Sequence, residues 1–106
     1  MDLIDEALVR EQFDALDPAT TAELRDAIAA DLRLWAGRLC AAWAAADAEG
    51  ISRARHALKG LCGNFGATGI DALAAGTLET EPERVRLGQG VEETIAAIER
   101  IAGPAR

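Results

Sequence analysis

The chain has 106 residues, long enough for one domain around one core and too short for two. With 11 Lys and Arg against 18 Asp and Glu, its formal charge is −7, which argues against general affinity for nucleic-acid phosphates or anionic membranes. Half of the residues are hydrophobic, much of that alanine, aromatics are 4% and tyrosine is absent, a balance that favours helices over sheets.

No window approaches the roughly 20 consecutive apolar residues of a membrane span. Asp2, Asp5 and Glu6 contradict a secretory or mitochondrial leader, so a cytoplasmic location is expected. In chain order, Val9, Phe13 and Leu16 fall at helical spacing and predict a short helix over about 5–16, ended by Asp17-Pro18. Thr20 followed by Glu23 has the form of a capping box and opens a long helix to about Ala46. Its apolar stripe is Leu24, Ile28, Leu32, Trp35, Leu39 and Ala46. Trp35 and Trp43 lie within one broad arc and read as core packing rather than as a ligand platform.

Asp47 is the expected N-cap of the next helix, which runs to Phe65 and stops at Gly66. Thr68 then caps a shorter helix through Ile70, Leu73, Ala74 and Leu78, ended by Glu81-Pro82. Val91, Ile95, Ile98 and Ala102 predict a final amphipathic helix, its start near Glu83 or only near Val91 because Gly88-Gln89-Gly90 interrupts the pattern. The expected fold is all-α, a single domain over 1–106. It is an antiparallel four-helix bundle over about 20–102 with the short N-terminal helix covering one end.

Cys40 and Cys62, 22 residues apart in apolar helical surroundings, match neither a redox pair nor a zinc spacing and read as buried, unpaired thiols. With one histidine and two distant cysteines, no metal site is expected. Nor is an ATP site, because no P-loop sequence is present.

On the helix from Asp47 to Phe65, the residues Ile51, Ala54, Leu58, Leu61, Cys62 and Phe65 fall in one arc roughly 100° wide. His56 projects about 170° from the centre of that arc, into solvent. Ser52, Gly60 and Gly63 surround it, with Lys59 to one side and Ala67 beyond, if the helical path continued that far. Each interior glycine costs about 1 kcal/mol relative to alanine, so close approach of another surface is the expected compensation. A neutral imidazole is a competent nucleophile, and free histidine is mostly neutral at pH 7. An ammonium one turn away can meet phosphoryl oxygens without blocking the attacking nitrogen. By periodicity alone, an ordinary surface histidine beside an ordinary surface lysine fits equally well.

The run His56-Ala57-Leu58-Lys59-Gly60-Leu61-Cys62-Gly63-Asn64-Phe65-Gly66-Ala67 resembles the histidine-containing phosphotransfer (HPt) family of phosphorelays. That family's pattern is histidine, two variable residues, lysine, glycine, then small residues and a further glycine. His56, Lys59, Gly60, Gly63 and Gly66 match it, Asn64 sits where a small polar residue is common, and Asp47 and Leu78-Glu79 also resemble family positions. The resemblance implies a phosphoryl-transfer intermediate rather than an independent enzyme. His56 would take the phosphoryl group from a receiver-domain aspartate and pass it to another, with Lys59 stabilising it. Ser52, Gly60, Gly63, Asn64 and Ala67 would form the docking face. It implies no cofactor in this chain and Mg²⁺ in the partner receiver. Response-regulator receivers are the implied partners, a hybrid histidine kinase is a further candidate, and a monomer is implied.

Two other readings compete. One is the dimerisation and phosphoacceptor domain of a sensor kinase, whose histidine is usually followed by an acidic residue; here Ala57 follows. The other is an adaptor bundle that binds through the Gly60 and Gly63 face without chemistry.

Overall fold

The computed structural model describes residues 4–102, with Thr68 described without its side chain. Asp2 and the two ends of the expected 1–106 domain lie outside the described residues. Five helices and no strand occur among them: α1 Glu6–Phe13, α2 Pro18–Ala44, α3 Ala48–Phe65, α4 Thr68–Ala75 and α5 Glu81–Ala102.

Three aspartates start the first three helices. The carboxylate of Asp5 accepts from the Leu8 amide at 3.2 Å, that of Asp17 from Thr20 at 2.8 Å, and that of Asp47 from Gly50 at 3.0 Å. Each satisfies an amide that the first turn leaves without a partner and places negative charge at the positive end of the helix dipole. For α2 this corrects the expected Thr20 cap. Pro18, which disfavours helix at its predecessor, fits the first turn of α2, where its missing N–H is no loss. α2 ends at Ala44; Ala46 lies beyond it with φ of 53° and is exposed, so it does not extend the core stripe.

The junction of α4 and α5 also differs from expectation. Ala67, not Thr68, occupies the α4 N-cap position, and no side chain caps that helix. The helix ends at Ala75, so the buried Leu78 lies in the connection rather than on α4. Glu81-Pro82, expected to end a helix, begins α5 instead. The reason is that Glu83 reaches back over the start of the helix: the Thr80 amide and hydroxyl donate to Glu83 Oε1 at 3.0 and 2.7 Å, and the Thr77 hydroxyl donates to Oε2 at 2.9 Å. Those bonds, with Thr80 foremost, hold the Glu83 carboxyl below its ordinary pKa. α5 then runs unbroken through Gly88 and Gly90. Gly90 has a packing reason, since a Cβ there would come within 2.9 Å of Leu73 Cδ1.

The helices pack in the order α2, α3, α4, α5, and α5 returns to α2 to close a ring of four. Arg33 of α2 pairs with Glu92 of α5, and Cys40 farther along α2 meets the carbonyl of the earlier Arg84, so these two helices run antiparallel. α1 packs on α5 and α3. It buries Val9 and Phe13 at the end of the bundle where Pro18, Thr21, Ile101 and Ala102 line a shared cleft. Ile28, Leu32, Ala36 and Leu39 of α2 meet Ala54, Leu58 and Cys62 of α3, Ile70 and Ala74 of α4, and Leu87, Val91, Ile95 and Ile98 of α5 in one core. Leu24, Trp35 and Trp43 are partly buried against it. No described helix is long and apolar enough to cross a membrane.

Candidate functional site

The site is a face of α3. The helix is amphipathic, with Ala54, Leu58 and Cys62 buried and Ile51, Leu61 and Phe65 partly buried, so its opposite side faces outward. His56 is exposed there, and Ser52, Lys59, Gly60, Gly63 and Asn64 are exposed with it. Ala67 does not join them. Gly66 turns the chain through the left-handed region, with φ of 66°, and ends the helical path, so Ala67 sits in the core at 1% exposure. Only glycine suits that turn, because a Cβ on Gly66 would fall 2.6 Å from Asp5 Cβ. The Asp5 amide donates to the Gly66 carbonyl at 2.7 Å, tying the N-terminal segment to the end of the helix that carries the site.

Arg55, the residue just before His56, adds a cross-helix tie. Its guanidinium donates Nε to the Ala74 carbonyl at 2.9 Å and Nη2 to those of Gly76 at 2.7 Å and Ala75 at 3.3 Å. It also lies over the Trp43 ring, 5.5 Å from its centre. One cation thus neutralises the negative end of α4 and joins α2, α3 and α4. Sequence reasoning passed over Arg55. Gly76 signals a helix end, but nothing in the sequence says that this end lies against α3.

Gly60 and Gly63 have nothing within 4 Å of the position a Cβ would take, and neither adopts a positive φ. No internal packing and no backbone conformation asks for glycine at either place. Gly37 and Gly88 are equally open, lining a groove between α2 and α5 with Cys40 and Val91. Openness is therefore not a mark of function by itself; what sets Gly60 and Gly63 apart is that they flank the chain's only histidine. The missing side chains leave the imidazole unobstructed, at about 2 kcal/mol in helix propensity.

Both cysteines are free. Cys62 is buried as expected, whereas Cys40 is only half-buried. Burial pushes both thiols up, Cys62 to about 11 with the Asp71 carboxylate adding to the effect, so both are protonated and unreactive near neutral pH. Among the described residues no three His, Cys, Asp or Glu side chains gather as a metal-binding group.

The face thus presents an exposed histidine, a lysine three residues on and two open glycines beside them. The model of the Hpt domain matches residues 2–103. The chain belongs to the Hpt domain family. No curated protein and no solved structure gave a match. Hpt domains serve histidine phosphotransfer in phosphorelays and interact with receiver domains of response regulators and with kinases. In this Hpt domain Lys59 lies three residues beyond His56 on α3, and both are exposed. No ion pair competes for Lys59 among the described residues.

Proposed function

We propose that His56 is the phosphoacceptor, taking a phosphoryl group from the aspartyl phosphate of a receiver domain and passing it to the aspartate of another. A ring-nitrogen lone pair forms the N–P bond as the P–O bond to the aspartate breaks, and the electron pair of that bond leaves on the carboxylate. Onward transfer is the reverse of this step on a second receiver. Such chemistry depends mainly on positioning and charge stabilisation, and Lys59 supplies a cation to the phosphoryl oxygens during it.

Ser52, Gly60, Gly63 and Asn64 form the surface on which the receiver docks, an apolar and backbone-lined centre with a polar rim. On this reading the chain brings nucleophile and cation, and the receiver brings Mg²⁺ and the acidic pocket around its aspartate. The domain acts as a monomer in the cytoplasm. The observation that carries the reading is the exposed His56 beside two interior glycines that have no internal packing role.

The test is incubation with phosphorylated receiver domains, followed by mapping of any phosphate on the chain. The expected product is acid-labile and base-stable, and maps to the peptide that contains His56. An acid-stable phosphate, or one on another peptide, contradicts the assignment. Partner binding with no phosphate on the chain would instead favour a non-catalytic adaptor.

A further inference from the structure

α3 is a basic helix on an acidic molecule. Between Ala48 and Phe65 it carries Glu49 against Arg53, Arg55 and Lys59, a net +2, while the remainder of the chain accounts for −9 of the total −7. Arg55 is committed to the carbonyls of α4. Arg53 and Lys59 remain, one turn before and one turn after His56, about 60° to either side of it around the helix.

The two cations are not equivalent. Helical side chains leave the backbone tilted toward the N-terminus, a rule that favours Lys59 reaching toward His56 and Arg53 reaching away from it. The structure follows that rule: Arg53 Nη2 meets Glu49 Oε1, four residues earlier, at 3.3 Å. Both side chains are largely exposed, at 69% and 85%. A pair this exposed is weak and exchanges readily for another carboxylate, and a guanidinium fork can take a new carboxylate through two bonds.

We propose that Arg53 is a docking residue, which releases Glu49 and pairs with an acidic side chain on the rim of the partner's phosphorylation pocket. Glu49 competes for the same guanidinium and sets how tightly acidic partners are held. Arg53 acts on encounter and register, not on the reacting phosphorus. The proposal rests on the reading of His56 as the phosphoacceptor.

It is tested by single-turnover transfer from receiver domains charged with phosphoramidate, at varied receiver concentration and at low and high ionic strength. Wild type is compared with Arg53→Gln, Arg53→Lys and Glu49→Gln. Arg53→Gln should raise the half-saturating concentration about 5- to 10-fold, leave the maximal rate unchanged and flatten the salt dependence. Arg53→Lys should restore much of the affinity, and Glu49→Gln should lower the half-saturating concentration about twofold. An Arg53→Gln chain with unaltered half-saturation and salt dependence overturns the docking role, as does one whose maximal rate alone falls. A wild-type chain that takes no phosphate from these receivers overturns the His56 assignment itself and the docking role with it.

Discussion

Lys59 is the residue whose contribution can be measured apart from folding, because its side chain is exposed and unpaired among the described residues. If its ammonium meets the phosphoryl oxygens during transfer, Lys59→Ala should slow phosphorylation by about one to two orders of magnitude, or about 1.4 to 2.8 kcal/mol of transition-state stabilisation. Lys59→Arg should recover part of that, since it keeps the charge but presents a planar head in a different geometry. Single-turnover transfer at saturating receiver concentration is the measurement, and an unaltered rate in the alanine variant would reduce Lys59 to surface charge. The exposure of His56 and Lys59 was legible in the sequence because helical periodicity places them outside the apolar arc, whereas their singling out as a site came from the family resemblance. Arg55 was not, because its partners are backbone carbonyls 19 to 21 residues away whose position depends on how α4 folds back on α3.

At the scale of the helix, α3 was legible from end to end, since Asp47 and Gly66 mark its limits chemically and nothing between them contradicts the pattern. The boundary of α4 and α5 was not, because Leu78 keeps helical phase with Ala74 although the chain between them has left the helix, and because Glu-Pro can end one helix or open the next. Gly63 within α3 and Gly66 just past its end should respond oppositely to substitution. Gly63→Leu enters open space and gains helix propensity, so stability should hold or rise by about 0.5 to 1 kcal/mol while transfer weakens, as bulk appears beside the imidazole. Gly66→Ala meets both a left-handed φ and Asp5, and should cost about 1 to 3 kcal/mol in denaturant unfolding. The helix starts predict a pH response. Hydrogen bonds hold the carboxyls of Asp17 and Glu83 below their ordinary 3.8 and 4.5 in the folded chain, with the Thr20 amide foremost at Asp17 and Thr80 at Glu83. The unfolded chain therefore takes up these protons first as pH falls. Their contribution is present above about pH 4.5 and lost below it, so Asp17→Asn and Glu83→Gln should each flatten the fall in melting temperature on the acid side.

The whole molecule sets one basic helix into an acidic bundle and turns that helix so that its only acid, Glu49, lies on the same side as His56. The ring of four helices was legible from periodicity and short connections, and its end cover from Val9 and Phe13. The turn at Gly66 was legible, but the packing of Asp5 against it was not, because no local pattern reports that contact. An acidic body that presents Arg53 and Lys59 beside His56 should approach the acidic phosphorylation pocket of a receiver in a restricted orientation and at a rate that falls with salt. The measurement that bears most directly on the account is the phosphate carried by wild type and by His56→Gln after incubation with phosphorylated receiver domains, beside the melting temperature of each. Because His56 is exposed, the substitution should change stability by no more than about 0.5 kcal/mol. The account predicts acid-labile phosphate on the wild type and none on a His56→Gln chain that melts at nearly the same temperature. Phosphate on the variant at the wild-type level would contradict it.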